Sequence, residues 1–186
     1  MMGAHQLLAK TVMYEEAVKV PWLMRIPELG RKQRLIKGRF SQIDLVPTLL
    51  DLMSKPMPGA FPGQSLVPLL NGGKVHEDHV YIEWNHAPDR SKKKDTQKLD
   101  DPANMSVDVS DDFIRTVITP NGWKLCLNDR DKCQLFNLNK DPGETTNLFY
   151  KCGYREIIGT LTERIQTWQK SVGDTVSIAP DEKTSI

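Results

Sequence analysis

The feature that most limits the fold of this chain is a series of short β-forming runs around an Asn-Gly turn, followed by one amphipathic helix. Phe113 to Thr119 and Trp123 to Leu127 are rich in β-branched, aromatic and leucine side chains, and Pro120-Asn121-Gly122 joins them. Asn and Gly both tolerate the positive φ that tight hairpins demand. Cys133 to Leu138 reads as a third strand, reached through the turn-like Asn128-Asp129-Arg130-Asp131. His79 to Trp84 is a further β-rich run. A hairpin alone is marginal in water and needs an apolar partner. Tyr154 to Val172 supplies one, because Tyr154, Ile157, Ile158, Leu161, Ile165, Trp168 and Val172 recur at helical spacing. The expectation is an α+β architecture, with an antiparallel sheet of about four strands covered by the C-terminal helix.

The segments before this sheet are more mixed. Val18 to Ile26 is short and apolar and reads as a buried strand, with Pro21 arguing for a strand start or an edge. Arg31, Lys32, Arg34, Lys37 and Arg39 form a basic run, read as a solvated connection. Asp44 stands where an N-cap belongs for a helix running to Met53. Leu45, Leu49, Leu52 and Met53 would form its core-facing side. Pro47 falls in the first turn, where a missing N–H costs nothing. Gly63 to Leu70 follows and ends at the breaker Asn71-Gly72-Gly73. Residues 87–111 are polar and aperiodic and read as a variable loop, and residues 173–186 as a polar tail.

Composition excludes some functions. The formal net charge of +1 supplies no field for nucleic acid or a membrane surface, and no apolar run approaches a membrane span. Cys126, Cys133 and Cys152 fit no zinc spacing. Cys126 and Cys133 either face each other on adjacent strands or remain free thiols.

The chemistry-bearing residues cluster in two places. In Gly3-Ala4-His5-Gln6-Leu7-Leu8-Ala9-Lys10, a histidine and a lysine stand in small and apolar company. A lysine there must reach water or meet an anion. Trp84, Asn85 and His86 end a strand with an aromatic beside donors. They either line a substrate pocket or close the strand with a core aromatic.

The first segment resembles the sulfatase pattern G-x-H-x-L-x-x-K, and Tyr14 to Pro21 its continuation Y-E-x-x-x-x-V-P. Asp44 to Leu52 (D-L-x-P-T-L-L-D-L), Gly63 to Leu70 (G-x-S-L-x-P-L-L) and Leu135 to Leu148 (L-[FY]-x-L-x-x-D-P-x-E-x-x-N-L) follow in the same family's order. The chain is thereby similar to the C-terminal portion of formylglycine-dependent sulfatases of the alkaline-phosphatase superfamily. The resemblance runs from Gly3 to Leu148 except through the variable loop, and the last helix also fits.

That resemblance implies several roles. Lys10 would contact the sulfate. His5 would either hydrogen-bond the sulfate or substrate, or hold its loop. Tyr14, Glu15 and Glu16 would pin that loop, and Glu144 and Asn147 would fasten another. Residues 1–40 would be a remnant of the α/β catalytic domain, carrying the sulfate-binding loop and one strand, and residues 41–172 the C-terminal subdomain.

The sequence contains neither C-x-P-x-R nor S-x-P-x-R, the signature that becomes formylglycine. The metal-binding Asp-Asp pair that the family carries in its N-terminal region, and its Asp-His-Gly triplet, are also absent. The resemblance therefore implies that formylglycine and a calcium-like divalent ion belong to a full-length parent acting on a sulfate ester, and that this chain binds neither and is inactive alone. Two other readings compete with it: a stand-alone binding or interaction module, and a piece of a phosphonate or phosphodiester hydrolase of the same superfamily. A fragment would self-associate through an exposed strand at 18–26. The sequence names no compartment, and a periplasmic or extracellular place for the parent stays open.

Overall fold

The computed structural model describes residues 3–7, 12–29, 33–59, 61–75, 79–85, 112–130 and 132–178. Lys10, His86 and the expected loop at 87–111 lie outside the described residues.

The β-rich runs form one antiparallel meander, β1 (Val80–Trp84), β2 (Ile114–Ile118), β3 (Trp123–Asn128) and β4 (Gln134–Asn137), with neighbours in space following chain order. The register pairs Trp84 with Ile114, Thr116 with Cys126, and Cys126 with Gln134. Alternation sends Val117, Leu125, Leu127 and Leu135 to one face. There they pack against Leu161 and Ile165 of the long helix α4 (Arg155–Val172). Tyr81 stacks on Trp168 with centroids 5.0 Å apart, and Trp123 meets Tyr154 edge-on at 5.9 Å. The α+β expectation holds, with both central strands buried almost throughout.

The β2–β3 turn differs from the expectation in one respect. Of Asn121 and Gly122 only Gly122 takes positive φ, at 89°. The Gly122 N–H donates to the Thr119 carbonyl (3.0 Å), leaving Pro120 and Asn121 at the centre of the turn. Asn121 is held instead by its polar groups: its side-chain oxygen accepts from the Thr119 hydroxyl and its carbonyl from Asn139 Nδ2. A Cβ on Gly122 would lie 2.7 Å from Asn139 Cγ, so this position also needs glycine for space.

Three other expectations are corrected. Val18 to Ile26 is not a buried strand. A short helix α1 (Glu15–Val18) is followed by chain without regular structure in which Val20 and Leu23 are 47% and 93% exposed. Pro21 removes a ladder donor, and no described strand lies alongside. The next helix, α2 (Leu45–Leu52), does begin at Asp44, but Asp44 is not its side-chain cap. A 3-10 turn, Gln42–Asp44, precedes it, and Ser41 and Asp44 cap that turn reciprocally. Leu45, Leu49 and Met53 are exposed, and the helix buries Pro47 and Thr48 instead. Its inner side is held by polar bonds. Thr48 Oγ1 donates to the Asp44 carbonyl (2.6 Å) and accepts from Leu66 N (3.0 Å), while Asp44 Oδ1 accepts from Gln64 N (3.0 Å). These bonds seat α3 (Val67–Leu70) beside α2.

The third correction concerns the tail. Gly173 ends α4 at φ 72°, and the chain then turns back to bury Ile178. Asp174 receives Arg115 Nε at 2.6 Å and Nη2 at 2.9 Å, and Gln169 Nε2 at 2.8 Å. Residues 173–178 are therefore part of the folded unit. The cysteines are settled as well. Cys126 and Cys133 are buried and packed in different clusters on opposite faces of the sheet, so no disulfide joins them.

Candidate functional site

The face of the sheet turned away from α4 carries the N-terminal motif. Met13 and Val18 pack with Ile114, Cys126, Ile82 and Trp84, while Tyr14 packs with Ile118, Phe136 and Leu138. The Tyr14 hydroxyl accepts a hydrogen bond from Gln134 Nε2 at 3.0 Å. On its outer side Tyr14 stacks with His5, centroids 3.8 Å apart and planes within 6°. His5 lies in a tight turn where Gly3, His5 and Gln6 all take positive φ, at 102°, 54° and 60°. Such backbone is costly for His and Gln, and surrounding contacts must impose it. The His5 Nε2 also lies 3.9 Å from a Glu16 carboxylate oxygen.

Beneath this loop sits a buried ion cluster. Lys124 points from β3 towards the loop and is fully buried. Its ammonium is 2.8 Å from Glu144 Oε1 and 3.1 Å from Glu15 Oε1. The other Glu144 oxygen accepts from the Glu15 backbone N–H at 2.6 Å. Burial opposes the Lys124 charge, but the Glu144 and Glu15 carboxylates outweigh it and raise the ammonium above the ordinary lysine value. Burial pushes the Glu144 carboxyl up against the pull of Lys124. Burial likewise raises the Tyr14 phenol, and pushes the Cys126 thiol up to about 11. A thiol held protonated in this way is neither a nucleophile nor a ready metal ligand.

His5 and Trp84 belong to the same side of the sheet, His5 by way of Tyr14 and Trp84 beside Met13. No ring contact or hydrogen bond joins them among the described residues. Trp84 Nε1 is buried and has no partner among the described residues, and the adjoining Asn85 is exposed. The expected pinning of the loop is visible in Tyr14 and Glu15, and Asn147 ties its own loop down. Its Oδ1 accepts from Leu135 N and Phe149 N, both at 3.0 Å, and its Nδ2 donates to the Cys133 carbonyl at 3.0 Å. Lys124 was not singled out by the motif reading. The signal was there, since a lysine inside Trp-Lys-Leu-Cys-Leu on a central strand demands a buried anion.

Comparison with known proteins identifies the family. Residues 3–101 match a family described as N-sulphoglucosamine sulphohydrolase, C-terminal. The chain belongs to the sulfatases. An N-acetylglucosamine-6-O-sulfatase of Bacteroides thetaiotaomicron is 28% identical over 188 aligned residues, covering 100% of this chain and 30% of that protein. The chain thus spans about three-tenths of that relative's length. A protein solved in complex with its substrate, D-glucosamine-2-N,6-O-disulfate, is 25% identical with a TM-score of 0.53, over 75% of this sulfatase chain and 25% of that one. A phosphonate monoester hydrolase from Silicibacter pomeroyi superposes with a TM-score of 0.66 at 20% identity, over 88% of this chain and 31% of that one, which is a likeness of fold.

The parent family's chemistry implies a divalent ion. Among the described residues no three His, Cys, Asp or Glu side chains are grouped so as to hold one. Of the carboxylates near the motif, Glu15 and Glu144 are committed to Lys124 and Glu16 lies against His5, so the described part of this sulfatase chain does not fit the ion. No described helix is long and apolar enough to cross a membrane.

Proposed function

We propose that this chain forms one wall of a sulfuric ester hydrolase and presents the motif of residues 3–10 to the sulfate group. The observation that supports the reading is the His5 loop, bent through three positive-φ residues and stacked on a tyrosine that is itself anchored to the sheet. In this reading Lys10 meets the sulfuryl oxygens as a fixed cation, and His5 is held beside it. Charge developing on a transferring sulfuryl group needs such pre-placed donors. Trp84, on the same face as the His5 loop, would contribute to substrate binding, and Asn85 and His86 follow it in the chain. The relative solved with a sulfated glucosamine suggests a sulfated sugar as the substrate class.

A cation alone does not transfer sulfate, because the reaction also needs a nucleophile. The chain contains no formylglycine signature, so nucleophile and calcium-like ion would come from the remainder of the parent. The expected outcome is no turnover of an aryl sulfate or a sulfated glucosamine by the 186-residue chain with added calcium. In the parent enzyme Lys10→Ala should lower kcat/KM by at least about a hundredfold, the scale of losing one oxyanion-type donor. A calcium-dependent rate from the chain alone, abolished by Lys10→Ala, would overturn the division of labour. A parent enzyme indifferent to Lys10→Ala would overturn the role of the lysine.

A further inference from the structure

The buried cluster of Lys124, Glu144 and Glu15 has no part in the chemistry just proposed, yet it joins three distant stretches of chain under the His5 loop. We propose that it is a clamp fixing residues 13–18, and through Tyr14 the His5 loop, to the sheet, with Lys124 and Glu144 acting as positioning residues for the motif face. The clamp rests on the sulfatase reading only for what the loop handles.

Four observations carry it. Helix α1 has four residues, too few to hold itself together in water, and no side-chain cap of its own at Tyr14. Its first N–H, that of Glu15, would ordinarily lack an acceptor, and Glu144 Oε2 takes it at 2.6 Å. Glu144 reaches it from a backbone held at φ 51°, a conformation a glutamate adopts only when its surroundings require it. Finally, Lys124 and Glu144 have fully buried side chains, where well-packed apolar residues would serve stability as well or better. An ion cluster at such a place specifies which segment docks and in what register. It does so directly beneath Tyr14, whose stacking orients the His5 ring.

Hydrogen exchange and the ring-current shift of His5 in the full chain test this without any sulfate ester, so failure here is separable from failure of the sulfatase reading. In the native chain the Glu15 amide should exchange in the slow class of the β3 amides, and the His5 ring protons should be shielded by Tyr14. Lys124→Met should speed Glu15 exchange by at least about tenfold and release the His5 shielding, while Val117 and Leu125 stay protected. The apolar pair Lys124→Met with Glu144→Leu should refold the sheet but leave His5 unshielded, a result that a merely stabilising pair would not give. Fast exchange at Glu15 in the native chain overturns the clamp whatever the variants do. So does an apolar pair with His5 still shielded.

Discussion

At the scale of single residues, charge placement governs how this chain responds to acid. Arg115 is 1% exposed and grips Asp174 with two nitrogens, while its Nη1 reaches the Trp84 and Ile114 carbonyls at 3.2 and 3.0 Å. Hydrogen bonds from Arg115 hold the Asp174 carboxyl far below the usual carboxylate range, Gln169 and the Val176 N–H adding to them. The folded carboxyl takes up its proton only at lower pH than the unfolded one. The stabilisation is therefore complete above the ordinary aspartate value of 3.8 and is lost as pH falls below it. Asp174→Asn should cost about 3 kcal/mol at neutral pH, since it strands a buried guanidinium, and should flatten the acid limb of stability. Urea titrations from pH 7 down to about pH 1.5, the range over which such a carboxylate loses its contribution, would check both effects. An unchanged acid limb in the variant would assign the loss to another group. None of this was legible beforehand. A lone Asp after a Gly in a polar tail resembles any surface aspartate, and only the fold brings Arg115 to it. Lys124 was more readable, because its strand neighbours are all apolar and its charge had to be answered.

Elements were easier to read, for a physical reason. Strands β1 to β4 and helix α4 bury one face or both, and burial leaves a periodic imprint. The apolar stripe of α4 was recovered almost residue for residue, yet its members are not equivalent. Ile165 is fully buried against the sheet, whereas Val172, at the same helical spacing, is 50% exposed. Ile165→Ala should destabilise the chain by about 3 kcal/mol, and Val172→Ala by about 0.5 kcal/mol or less. Thermal or urea unfolding separates the two, and comparable losses would contradict the packing of α4. The elements misread were those whose apolar residues face no described partner. Val18 to Ile26 looked like a strand because apolar content does not reveal whether a neighbouring strand exists. Helix α2 was located correctly but turned wrongly, because its inner side is secured by Asp44 and Thr48 through hydrogen bonds that hydrophobic patterning does not register. The motif loop was legible through its residue types, whereas its anchoring by Glu144 depends on two segments 129 positions apart.

At the scale of the whole molecule, these two misreadings describe one property. Val20, Leu23 and Met24 before the basic run, and Leu45, Val46 and Leu49 on α2 with Met53 just past its end, all remain substantially exposed. Scattered apolar side chains are normal on any protein surface, but runs of this kind mark surfaces that bind something. The sheet and α4 form a well-buried unit without them. Together with a chain spanning about three-tenths of its relative, this suggests that the remainder of a sulfatase would cover these residues, and that the chain in isolation covers them with another copy of itself. The expected behaviour is concentration-dependent self-association, carried by exposed chain and helix rather than by a strand edge at 18–26. Leu23→Lys combined with Met53→Lys should move the chain towards monomer in sedimentation velocity while leaving the unfolding midpoint of the sheet unchanged, because neither side chain contributes to the α4-side core. A native chain that sediments as a monomer at every concentration would remove the idea. It would also mean that the exposed apolar residues are tolerated singly and that the sheet unit stands by itself in solution.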